Sequence, residues 1–323
     1  MLSRRVFISA LPAALVLRPG LASAAGEPLA IWGPPAAPSV TVAQAIASKL
    51  LEPIAADVTF KVWKTPDEMR AGISSGNMVA VVVPTYVAAN LYNRGLGLRL
   101  VNVLTDGLLY VVAPAGTVRS IADLKGKRVA VPFRNDMPDF IFRRLLAAAS
   151  MKPEDLSIDY SATGPEAVQL LLAGRADAAL LSEPASSVAL VRASLALKTF
   201  ERAIDCQKAM AEVTGRRAIP QAGLAVTDLF VKRYGEGAVA TLQGALEQAV
   251  QTVLKDPAAA ANASAAALDL PKPMIERSVP YSNLVVRRAS EARPDLVALF
   301  DVLAKEDPRI IGGRQPDDRF YAL

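Results

Sequence analysis

The sequence predicts an α/β chain folded as two lobes, and three observations carry that expectation. Apolar strand-like runs alternate with helix-patterned segments along most of the chain, as where sheets are covered by helices. Runs such as "MVAVVV" (78–83) are apolar throughout, which suits strands buried on both faces of a parallel sheet. "AGISSGNMVAVVVPTYVAA" (71–89) also resembles "LLLAGRADAALLSEPASSVA" (170–189), with Gly76 matching Gly174 and a strand, a proline and a helix following in both. A repeat of that spacing fits two similar α/β units rather than a solenoid. The length of 323 residues agrees with two domains.

The elements follow in order. A first strand is expected over 28–33 and a helix over 39–51, with Ser39 as a possible N-cap. Residues 58–63 alternate as a strand. At 65–76 Thr65 caps a helix, Pro66 takes its first position, Asp67 and Glu68 fill its first turn, and Gly76 stops it. Strands follow over 78–83, 98–105 and 108–113. A second series gives a short turn and strand over 120–132 and a helix over 136–150. After it come strands over 156–161 and 176–182, each followed by a helix opened by Pro165 or Pro184. Residues 222–234 return to a strand and a helix, and the remainder is mostly helical, most clearly over 239–256.

Residues 1–24 read as an export signal. Arg4 and Arg5 precede a short apolar stretch, and Ala22-Ser23-Ala24 supplies a small-x-small cleavage site. The run from Ser3 to Ile8 fits the twin-arginine pattern, and Arg18 disfavours the general secretory channel. Losing Arg4, Arg5 and Arg18, with no acids, brings the net charge of +5 to +2, too balanced for a nucleic-acid binder. Cys206 is the sole cysteine, so no intrachain disulfide and no lipid anchor are expected, and the chain is expected to diffuse freely in a periplasm. With no histidine, Ser-His-Asp and Cys-His catalysis and His-ligated metals are excluded. No cofactor or metal is implied.

In open parallel sheets ligands bind beyond the carboxyl ends of the strands. Those ends offer Trp32, leading to Ser39; Thr85 and Tyr86; Asp106; Phe133, Arg134, Asn135 and Asp136; and Glu183 before Pro184. These are the candidate ligand-binding residues. Trp32 and Tyr86 offer ring faces, Arg134 a clamp for an anionic or carbonyl group, and Asp106 and Glu183 acceptors for N–H donors. Plainer roles compete: Ser39, Thr85 and Asp136 can be helix caps, Arg134 an interlobe salt bridge, Glu183 a solvated acid and Trp32 core.

"SIADLKGKRVAVP" (120–132), and "AVQLLLAGRADAALLSEPASS" (167–187) with Gly174, Asp177-Ala178 and Glu183-Pro184, resemble the substrate-binding proteins of ABC importers. The similarity is closest to the sulfonate/nitrate/taurine and thiamine-precursor group, over about residues 65–195. It implies a two-lobed type II periplasmic-binding-protein fold, each lobe a mostly parallel sheet flanked by helices, with a helical C-terminal region. Lobe one would be 28–113 plus 223–323 and lobe two 114–222, with the ligand in the cleft between them. The implied function is capture of a small polar or aromatic organic ligand and its delivery to an ABC permease in the inner membrane, by a monomer whose lobes close on the ligand. The alternatives are a binding subunit for a sensor or a non-ABC transporter, or an enzyme on the same fold. Relatives making a thiamine pyrimidine use an active-site histidine, which this chain lacks. Where relatives carry a Gly/Ser-rich loop, this chain has Phe133-Arg134-Asn135-Asp136, which argues against a simple sulfonate or nitrate.

Overall fold

The computed structural model describes residues 27–216 and 218–323, so the expected export signal lies outside the described residues. The chain first forms β1 (Leu29–Gly33), α1 (Ala37–Ala47), β2 (Val58–Val62), α2 (Pro66–Ser74), β3 (Ala80–Pro84), α3 (Thr85–Asn93), β4 (Leu98–Leu100) and β5 (Asn102–Thr105). It then crosses over and builds β6 (Leu109–Pro114), β7 (Arg128–Pro132), α4 (Met137–Ala148), β8 (Ser157–Ser161), α5 (Gly164–Leu172), β9 (Ala178–Ser182), α6 (Ala185–Leu195), β10 (Phe200–Asp205) and α7 (Cys206–Thr214). It returns for β11 (Ala222–Thr227), α8 (Asp228–Tyr234), α9 (Gly237–Lys255), α10 (Pro257–Leu268), α11 (Lys272–Ser278), β12 (Leu284–Arg288) and α12 (Ala289–Glu306).

Two sheets result. The first runs β12-β5-β11-β3-β1-β2, with β4 also pairing β11, and the second runs β10-β6-β9-β7-β8. The order β2-β1-β3-β11-β5 in one corresponds to β8-β7-β9-β6-β10 in the other. The internal sequence repeat, α2-β3-α3 against α5-β9-α6, falls on corresponding places in these two orders. β1 pairs β2 and β3 in parallel, as β7 pairs β8 and β9, whereas β11 and β6 run antiparallel to β3 and β9. The parallel character is thus confined to three strands of each sheet, because β6 and β11, the strands the chain forms next after crossing, run against them.

β6 hydrogen-bonds to β9 and β10, so residues 109–114 lie in the second sheet. The change of lobe expected after residue 113 therefore comes earlier, at Asp106–Leu108. The return passes beside it before β11. Ile219 N–H donates to Asp106 O at 3.2 Å, Gln221 N–H to Thr105 O at 3.3 Å, and Leu108 N–H to the Gln221 side-chain Oε1 at 3.1 Å. The two crossings form one hydrogen-bonded pair of segments.

The central strands are hydrocarbon because both of their faces are covered. Val81, Val82 and Val83 are fully buried, with Val82 facing one cluster and Val81 and Val83 another. On the Val82 side, Leu242 and Leu246 of α9 pack with Val42 and Ala45 of α1. Each such leucine contributes roughly 2 kcal/mol by leaving water.

Candidate ligand-binding site

The helices that follow the parallel strands begin at the strands' carboxyl ends, and several begin with proline. Pro38, Pro66, Pro138 and Pro165 stand in the first turns of α1, α2, α4 and α5. Proline is favoured there, since its missing N–H would have no partner in the helix and its φ is already helical. The same prolines wall a cavity of about 430 Å³ between the lobes. Lobe one contributes Pro34, Trp63, Lys64, Met69 and Pro84, lobe two contributes Phe133, Asp136, Met137, Thr163 and Ser182, and Leu108 and Gln221 come from the crossings. The walls are largely apolar, with polar groups at a few points. A second space, of about 570 Å³, lies outside the cleft among Arg70, Asn90, Arg94 and Asn135, away from the strand ends.

Among the residues expected at the site, Phe133 and Asp136 line the cavity. Phe133 holds φ +59°, an uncommon conformation for a side chain of its size. Asp136 is buried and caps α4, its Oδ1 accepting from Met137 N–H at 2.7 Å. The same oxygen accepts from Tyr86 Oη at 2.6 Å, and Oδ2 accepts from Arg70 Nη2 at 2.9 Å. Tyr86 therefore serves this contact, with its ring edge-on to Phe140, and lines the outer space rather than the cleft. Burial and the Asp136 charge hold its hydroxyl well above the usual tyrosine range.

The remaining candidates are engaged elsewhere. Ser39 is buried and its hydroxyl donates to Pro34 O at 2.7 Å, tying the turn ahead of α1. Thr85 donates to Pro220 O at 2.6 Å, fastening α3 to the returning crossing. Asp106 is held by Arg287 at 2.6 Å, and burial raises its carboxyl above the ordinary value. Glu183 is fully buried, accepting from Arg202 Nε at 2.7 Å and from the Ser187 hydroxyl at 2.8 Å. Burial raises its carboxyl too, against the pull of Arg202. Arg134 is exposed, its guanidinium 5.1 Å from the centre of the Tyr160 ring, and forms no part of the cavity wall. Asn135, at φ +59°, accepts from Arg143 at 3.2 Å on the outer side. Trp32 lies within β1, beneath Lys61, and does not reach the cavity.

The aromatic wall of lobe one is Trp63. It is 6% exposed, and its indole N–H donates to Val82 O at 3.1 Å, which fixes the ring against the sheet. The rule that directs attention beyond strand ends also points to Trp63 and Lys64, once β2 is counted among the strands that open on the cleft. Leu268, which ends α10, and Asp269 and Leu270 in the turn before α11 also line the cavity, and no local pattern marks them.

The family model described as NMT1/THI5 like matches residues 71–260. No curated protein matches the chain. Among solved structures, an ABC transporter from Parabacteroides distasonis superposes with a TM-score of 0.73 at 23% identity, over 91% of this chain and 98% of that one. The periplasmic aliphatic sulphonate binding protein SsuA from Escherichia coli gives 0.69 at 16% identity, over 91% and 97%. The periplasmic nitrate-binding protein NrtA from Synechocystis PCC 6803 gives 0.60 at 14% identity, over 79% and 71%. These likenesses agree with the two-lobed periplasmic-binding-protein fold, and the matched segment takes in strands of both sheets and much of the cavity wall. The chain belongs to the NMT1/THI5-like family.

Proposed function

We propose that this protein is an exported solute-binding protein that captures a small organic ligand between its lobes and delivers it to an ABC permease. The observation that carries the reading is the cavity itself. It is walled by both lobes at the carboxyl ends of their parallel strands, and the paired crossings contribute to its lining. A rotation about those crossings would open and close it, as in hinge-bending binding proteins. Export rests on the N-terminal signal pattern, and among the described residues no helix is long and apolar enough to cross a membrane.

The walls favour a ligand with an apolar or aromatic body and one polar head. Trp63, Phe133, Met69 and Met137 offer ring and thioether surface. α6 begins at the cavity with Ala185, whose N–H can receive a carbonyl, carboxylate or sulfonyl oxygen, while Glu183 Oε2 holds the next-but-one donor, Ser187 N–H, at 3.2 Å. Nitrate would leave most of the apolar wall uncovered. A thermal-shift panel followed by calorimetry tests this, comparing ring compounds that carry a single oxyanion or carbonyl with nitrate and short alkyl sulfonates. Ring compounds should bind and quench tryptophan fluorescence in a Trp32→Phe variant, where Trp63 is the remaining tryptophan, and Trp63→Ala should abolish the binding. Tight binding of nitrate or a short alkyl sulfonate, with none of any ring compound, would refute the ligand assignment.

A further inference from the structure

One contact crosses between the lobes beside the cavity without belonging to either crossing. Asp136, at the start of α4 in lobe two, is 4% exposed and keeps three donors on its two carboxylate oxygens. One, Met137 N–H, comes from its own helix. The other two come from lobe one: Tyr86 Oη at 2.6 Å and Arg70 Nη2 at 2.9 Å. Arg70 also donates to Tyr86 Oη at 3.0 Å, so the two lobe-one groups are joined before they meet the acid. Burial works against the charge on Arg70, and the neighbouring Asp136 and Tyr86 outweigh it, so its pKa is raised. The three residues form a partition. Asp136 faces the cleft cavity, while Arg70 and Tyr86 face the outer space.

We infer that Asp136, gripped by Arg70 and Tyr86, is the latch of the closed state, and that it sets how much of the protein is closed before a ligand arrives. Parting the lobes draws α4 away from α2 and α3 and strips the carboxylate of both lobe-one donors while its own helix keeps the third. Hydrogen bonds to a charged group are the stronger class, and this one forms on a carboxylate that the fold has largely taken from water. A ligand filling the cavity covers the inner side of Asp136, so occupancy and latching reinforce each other. The consequence for affinity rests on the solute-binding reading, because apparent affinity scales with the fraction of protein in the binding-competent state. Arg70 and Tyr86 act through Asp136 and do not line the cleft, which makes them positioning residues.

The test needs no ligand. Spin labels at Leu197→Cys and Leu254→Cys report the distance between lobes, since both positions are exposed and Cys206 is buried. The otherwise unaltered protein should show a short, closed component. Arg70→Met should lower the closed-to-open ratio about tenfold, Tyr86→Phe should lower it less, and Arg70→Lys should restore part of it. Tyr86→Phe keeps the ring against Phe140 and decides the matter if Arg70→Met does not fold. The Arg143–Glu306 ion pair and the stacking of Arg202 on Tyr281 remain in every variant, so full opening is not expected. A distance distribution unchanged by both substitutions, or one with no closed component at the outset, overturns the latch. A ligand panel without a single binder would defeat the transport reading and leave this result standing.

Discussion

Gly107 stands in the first crossing at φ +117°, where a side chain would be strained whatever space it had. There is also no space: an added Cβ would meet Gln207 Cγ at 2.1 Å. Gln207 cannot simply swing aside, since its Oε1 accepts from Leu109 N–H at 2.8 Å and holds the start of β6. Gly107→Ala should cost about 3 kcal/mol in urea unfolding; a loss below about 1 kcal/mol would show that the crossing relaxes freely. Single residues differ in how much of their role the sequence carries. Asp136 is legible as a helix cap because its position before a helical pattern implies one. Its second role is not legible, because Arg70 and Tyr86 are brought to it by the packing of one lobe on the other. The partners of Glu183 and Asp106 are hidden from the sequence for the same reason. Each acid meets a distant arginine, Arg202 or Arg287, that local sequence does not announce.

Among the elements, the inner strands were legible because burial on both faces leaves an unbroken apolar run. β10 and β12 were not, and each lies at one edge of its sheet. β10 carries Glu201 and Arg202, and β12 ends in Arg287 and Arg288, so neither has the apolar pattern of a buried strand. The single strand expected over 98–105 is divided into β4 and β5. At the division Asn102 turns its side chain inward, accepting from Leu224 N–H at 3.1 Å and donating to Gln243 at 2.8 Å. α7 opens with Cys206, a position that ordinarily favours a thiolate. Here complete burial wins and pushes the thiol far above its usual value. Ellman's reagent should therefore leave native protein unlabelled and titrate one thiol in denaturant; rapid labelling of folded protein would contradict the packing of α7 against α4.

For the molecule as a whole, acid response follows from two sets of carboxyl groups. Burial raises Asp106, Glu183 and Glu306, so the folded state holds their protons more tightly than the unfolded chain does. Stability from these groups is present below the ordinary carboxyl values and is lost as pH rises through the raised ones. Asp123, Asp177, Asp307 and Asp317 are lowered by hydrogen bonds and act oppositely, their contribution disappearing as pH falls below the ordinary range. The urea midpoint should hold level or rise from pH 7 to about 5 and decline below about 4; a steady decline from pH 7 to 5 would contradict this. The division into lobes has a different consequence. All five strands of the second sheet fall within residues 109–205. The first sheet needs β11 and β12 from late in the chain, and Ala322 N–H donates to Leu100 O at 2.9 Å. During synthesis, then, the middle of the chain can complete its sheet while the earliest strands still wait for residues the ribosome has yet to add.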